Sequence, residues 1–138
     1  MKLSILFLSV LVFFSSNTFA CSCRAPDASN LYATSSKIFV GRVIKLELKQ
    51  DDAGVEYQDV TFQSSQNIKG AETKNFKSYF GDSSCNGSML DLGKKHIVFL
   101  NNNDWTTGYC GGTTRVFAGD DRVIKLIDAL NKEALTKT

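Results

Sequence analysis

A chain of 138 residues with 16 Lys and Arg against 14 Asp and Glu carries a formal charge of only +2, so nothing calls for a nucleic acid or an anionic membrane as partner. That length suffices for one domain around a single core and is too short for two. Four cysteines and a single histidine make the cysteines the first place to look for chemistry.

Residues 1–20 read as a secretory signal peptide. Lys2 supplies the positive start, and Leu3 to Phe14 is an apolar run broken only by Ser4 and Ser9, too short for a membrane span. Ser15, Ser16 and Asn17 end the run, and Thr18-Phe19-Ala20 puts small residues three and one before a cut, as signal peptidase requires. A lipoprotein signal also ends at a cysteine, but it favours Leu three residues earlier and a small residue two earlier. Thr18 and Phe19 fit that pattern poorly, so lipidation is not expected. The mature protein is expected to begin Cys21-Ser22-Cys23 and to be secreted, periplasmic or extracellular. It should be monomeric, without stable membrane insertion.

Cys21, Cys23, Cys85 and Cys110 all fall in the exported part, where thiols are normally oxidised. Four cysteines allow two disulfides in three pairings. A Cys21 to Cys23 bridge closes a very small ring at an awkward separation. The other two arrangements both tie the first three mature residues to remote parts of the chain. On chain-entropy grounds each such loop is worth about 4 kcal/mol.

In chain order, Asp27 can cap a short helix over Ala28 to Ala33. Ile38 to Lys49 reads as a strand, with Ile38, Val40, Ile44, Leu46 and Leu48 on one parity and Lys45, Glu47 and Lys49 on the other. Gly41 within it suits a bulge or bend. Asp51 to Gly54 is a turn, Val55 to Gln66 a second strand running out at Ile68-Lys69-Gly70, and Asn75 to Phe80 a third with Phe76 and Phe80 on one face. Gly81 to Gly87 is a polar loop carrying Cys85. Lys95 to Leu100 is an apolar fourth strand, and Trp105 to Arg115 a fifth carrying Cys110. From Asp120 or Asp121 the period becomes helical, with Val123, Ile127, Leu130 and Ala134 in a stripe widened by Ile124 and Leu126, giving a helix over about 121–135. The pattern is mainly β and suggests a five-stranded antiparallel OB-type Greek-key barrel with a short N-terminal and a longer C-terminal helix; a small sandwich also accommodates it.

Several of these residues resemble the tissue inhibitors of metalloproteinases and their netrin-like relatives, short bacterial members included. The carrying features are Cys21-Ser22-Cys23 at the mature start, Phe39-Val40-Gly41-Arg42-Val43, Ile68-Lys69-Gly70, Gly93 to Leu100, and Cys110-Gly111-Gly112-Thr113-Thr114-Arg115. The similarity spans nearly all of residues 21–138, and the N-terminal Cys-Ser-Cys is its specific part. It implies one netrin-like domain over 21–138 with disulfides Cys21 with Cys85 and Cys23 with Cys110. The third disulfide and the C-terminal domain of the vertebrate inhibitors are missing.

The resemblance further implies a secreted inhibitor of a zinc metalloprotease. The freed α-amino group and the carbonyl oxygen of Cys21 would together chelate the target's catalytic zinc and displace its water. An amine of ordinary pKa about 8 loses its proton readily when zinc competes for it. Ser22 would enter the protease's specificity pocket, with Cys23, Arg24, Ala25, Pro26, Ser83 and Ser84 as neighbouring contacts. The chain needs no cofactor and no metal of its own in this scheme. The alternative is a netrin-like structural or interaction domain that inhibits nothing.

Other chemistries fit less well. The cysteine spacing lacks the paired short loops of structural zinc sites, and no alternation of strands and helices supports a thioredoxin-like redox pair. His96 precedes an apolar strand and reads as a packed or rim residue, with no Ser, His and Asp arrangement to make an enzyme. Asp51-Asp52 and Asp120-Asp121 are turn and cap residues. Asn86-Gly87-Ser88 is a sequon only in a eukaryotic secretory route and equally a turn. Trp105, Tyr109 and the phenylalanines fill or flank the core.

Overall fold

The long amphipathic stretches on either side of Asp51 become a hairpin of two 14-residue strands. A computed structural model describes residues 27–79 and 87–137. These form α1 (Ala28–Thr34), β1 (Lys37–Gln50), β2 (Glu56–Lys69), β3 (Asn75–Tyr79), β4 (Lys95–Leu100), a 3₁₀ turn at Tyr109–Gly111, β5 (Thr114–Arg115) and α2 (Asp121–Thr136). All five strands belong to one sheet in the order β3-β2-β1-β4-β5, and every neighbouring pair is antiparallel. The described part is mainly β with two helices, and no helix in it is long and apolar enough to cross a membrane.

The helix caps follow the expected chemistry. Asp27 Oδ1 accepts the Asn30 amide at 2.7 Å, and Asp120 Oδ1 accepts the Arg122 amide at 3.1 Å, each relieving an orphan donor of a first turn. Asp51 Oδ1 accepts the amides of Ala53 and Val55, both at 2.9 Å, closing the hairpin turn.

Both faces of the sheet are covered. On one, Ile38, Val40, Ile68, Ile97 and Phe99 meet Leu31 of α1 and Val123 and Leu130 of α2. On the other, Phe39, Val43, Val60, Phe62, Phe76, Leu90, Val98 and Leu100 form a second cluster. Phe39, Phe62 and Phe76 meet edge to face there, with centroids 5.3 to 5.7 Å apart, the arrangement their ring quadrupoles favour. Because β4 is buried on both sides, His96 to Leu100 are all buried, which explains the unbroken apolar run from Ile97.

Three expectations need correction. The single parity along β1 fails because its register with β2 shifts at Ile38/Phe39, Val40/Gly41 and Val43/Lys45, so Ile38, Phe39 and Val40 are all buried while Ile44 is 52% and Leu48 70% exposed. The bulge at Gly41 is there; a Cβ on it would lie 2.2 Å from the Gln63 carbonyl oxygen, so β2 passes where only glycine fits. The fifth strand is not continuous over Trp105 to Arg115: Trp105 and Thr106 make isolated bridges, Tyr109–Gly111 turns, and only Thr114–Arg115 pairs with β4. Gly108 and Gly112, both at positive φ, break the extended path. Ile124 does not widen the α2 stripe, being 45% exposed. Phe80, expected to end the third strand, lies outside the described residues.

Two further hydrogen bonds link β3 to the segment that follows β4. The Lys77 amide donates to the Asp104 carbonyl and the Thr106 amide to the Lys77 carbonyl, both at 2.9 Å, a parallel bridge between β3 and the segment after β4.

Candidate functional site

The residues expected to meet a protease, Cys21, Ser22, Cys23, Arg24, Ala25, Pro26, Ser83 and Ser84, lie outside the described residues, as do Cys85 and the cut after Ala20. The described chain contains their neighbours in sequence, Asp27 at the start of α1 and Tyr79 and Gly87 on either side of 80–86, and the turn carrying Cys110.

Cys110 sits exposed in the 3₁₀ turn and is disulfide-bonded, its partner lying outside the described residues. The turn is held tightly. Thr107 donates its amide to the Phe99 carbonyl at 3.0 Å and its hydroxyl to the Gly111 carbonyl at 3.0 Å. A Cβ on Gly111 would fall 2.3 Å from Thr107 Oγ1. Gly112, at φ +94°, lies against Leu31 and Phe99, where a Cβ would stand 3.0 Å from both side chains. Its close approach seats the Cys110 turn against α1.

The same segment reaches Tyr79, the last described residue before Ser83 and Ser84. Trp105 stacks on Tyr79 with centroids 3.9 Å apart and rings 7° from parallel. Lys77 Nζ sits over Tyr57 and Trp105 at 5.2 and 5.3 Å, within cation–π range. Beneath lies a buried hydroxyl chain: Ser78 Oγ donates to the Ser88 carbonyl at 2.5 Å, and Ser88 and Thr106 hydroxyls lie within 3.0 Å of Ser78 and of each other. Gln58 bridges the amide and carbonyl of Leu90 at 3.0 and 3.1 Å. Trp105–Gly112 therefore connects Tyr79 and Ser88, near the two sides of residues 80–86, to α1. Desolvation, with the Asp51 carboxylate 3.3 Å away, raises the Tyr79 hydroxyl pKa.

Lys69, the last residue of β2, reaches well beyond its own strand. Its ammonium donates to the carbonyls of Tyr32 and Ser35 at 2.5 and 2.7 Å, terminating α1. Desolvation and the nearby Lys137 ammonium lower its pKa. A basic residue meeting helix carbonyls across a 37-residue separation leaves no local sequence signal.

His96 is 1% exposed. Nδ1 lies 3.1 Å from the Lys94 carbonyl and the Asp91 amide donates to Nε2 at 3.5 Å, so the neutral ring protonated on Nδ1 satisfies both. Desolvation lowers its pKa, with Arg115 acting in the same direction against the Lys94 carbonyl and Asp91 carboxylate. It is a packed residue holding the 91–94 turn. Among the described residues no three His, Cys, Asp or Glu side chains are grouped to hold a metal. No protein-family model matches the chain, and a search of curated proteins returns no match.

Proposed function

We propose that the chain is an exported metalloprotease inhibitor whose processed N-terminus is its reactive element. Cys21 would chelate the target's zinc through its α-amino group and carbonyl oxygen, with Ser22 in the specificity pocket. The observation that carries this reading is Cys110. It is disulfide-bonded, and the cysteines left to bond it are Cys21, Cys23 and Cys85, the two at the proposed start and one in the contact loop. A bridge from Cys110 to Cys23 would hold the reactive tip rigid, so little ordering entropy would be lost on binding.

The same reading takes the sheet as a closed OB-type barrel. Its order brings β4 beside β1 after the β1-β2-β3 meander, which supports a Greek-key reading. The parallel bridge from Lys77 to Trp105 supports closure between β3 and the segment after β4. A closed barrel gives the N-terminus and the 80–86 loop a common rim.

The test has two parts. Mass spectrometry of the exported protein should find an unmodified start at Cys21 and bridges Cys21 with Cys85 and Cys23 with Cys110. The same material should inhibit members of a panel of zinc metalloproteases in competition with active-site ligands. A correctly processed, oxidised protein that inhibits none of them favours a netrin-like interaction domain.

A further inference from the structure

Gln63, Arg42 and Lys95 form one row across three strands, since Arg42 pairs in register with Gln63 of β2 and with Lys95 of β4. Two cations thus stand directly opposite each other on neighbouring strands, an unfavourable pairing. Nothing in the described chain offsets it. Arg42 Nη1 donates to the Gly93 carbonyl at 2.8 Å, and neither Arg42 nor Lys95 belongs to any of the ion pairs among the described residues.

These residues line a solvent-open notch of about 270 Å³ together with Gly41, Ser64 and Ser65. Its origin lies in the bulge at Gly41, which lets the β2 backbone approach β1 closely beside Arg42. No carboxylate among the described residues lines it. The Ser65 hydroxyl donates to the Val40 carbonyl at 3.1 Å. The remaining guanidinium nitrogens, the Lys95 ammonium, the Gln63 amide and the Ser64 hydroxyl are donors that no acceptor in the described chain engages. A concave surface with two uncompensated positive charges and surplus donors is complementary to an anion with several oxygens.

We propose that this notch binds a tetrahedral dianion, phosphate as the free ion or as the end group of a phosphomonoester. Binding would relieve the repulsion between Arg42 and Lys95. It is independent of the inhibitory reading, which uses none of these residues. Since both cations are exposed, the affinity expected is modest, a Kd of about 1–10 mM.

The test is an NMR titration of the exported protein at neutral pH with sodium phosphate, with glycerol phosphate, and with sodium chloride at matched ionic strength. Saturable shifts confined to the amides of residues 41–42, 63–65 and 95 are expected with the phosphates alone. Tighter binding of glycerol phosphate would identify the end group as the ligand, and equal binding the free ion. Lys95→Glu replaces the like-charge pair with an opposite-charge pair, so it should fold at least as stably as wild type while binding phosphate at least about tenfold more weakly. Lys95→Gln, which only removes a charge, serves as the second variant. Equal shifts with chloride, shifts scattered over other basic residues, or undiminished binding by both variants would overturn the proposal.

Discussion

The Lys69 ammonium donates to the Tyr32 carbonyl at 2.5 Å and also sits 4.7 Å from the centre of that residue's ring. One side chain from the end of β2 therefore terminates the helix that follows the N-terminal segment. Lys69→Met keeps the apolar stem but leaves the carbonyls of Tyr32 and Ser35 without this donor. A loss of about 1–3 kcal/mol is expected, measured by urea denaturation with an unchanged m-value.

Gly41 and Gly54 should lose stability to very different extents on substitution by alanine, for reasons readable from their surroundings. At Gly41 a Cβ meets the Gln63 carbonyl at 2.2 Å and the Phe62 ring at 2.6 Å, so strands must separate, and Gly41→Ala should cost more than about 3 kcal/mol or prevent folding. At Gly54, with φ +79°, nothing lies within 4 Å. Gly54→Ala should cost only the left-handed strain of about 1–2 kcal/mol. Thermal unfolding of the two variants separates these cases.

His96 should make the protein sensitive to mild acid. Its pKa in the folded protein lies below the ordinary 6.5, so the unfolded chain takes up a proton that the native state resists. Stability contributed by this group is complete above about pH 6.5 and falls as pH drops from there towards the folded value, by up to about 1.4 kcal/mol per pH unit. His96→Gln should flatten that part of the stability profile. Denaturation midpoints measured across the window for both proteins test it.

Ser78, buried at 0% exposure, hydrogen-bonds the carbonyl and hydroxyl of Ser88 and the hydroxyl of Thr106. Ser78→Ala leaves the Ser88 carbonyl without this donor in a buried site, an expected loss of about 1–3 kcal/mol. Hydrogen exchange should rise first at the amides of 87–90 and 105–107, the segments this hydroxyl chain joins.

What could be read from the sequence follows locality. The caps at Asp27 and Asp120 and the turn at Asp51 depend on neighbours a few residues away, and each appears where residue chemistry puts it; the bend at Gly41 is marked by the glycine itself, although the strand that requires it is distant in sequence. The hairpin and the apolar β4 run were likewise legible. The facing of β1 was not, because three register shifts rotate its side chains and no period-2 pattern survives them. Nor was the break after Trp105, which depends on Gly112 meeting Leu31 and Phe99. Of the expected site, Cys110 alone falls among the described residues; Lys69, the Ser78 chain and the Gln63-Arg42-Lys95 row arise from contacts between distant segments.

The claim that the amine of Cys21 acts on a zinc is tested most directly by adding one alanine before it. Inhibition of a susceptible zinc metalloprotease should be abolished in the extended protein, while its disulfides and unfolding midpoint match those of the form starting at Cys21. Equal inhibition by both forms would contradict the account, because an extended chain cannot offer Cys21's amine to the metal.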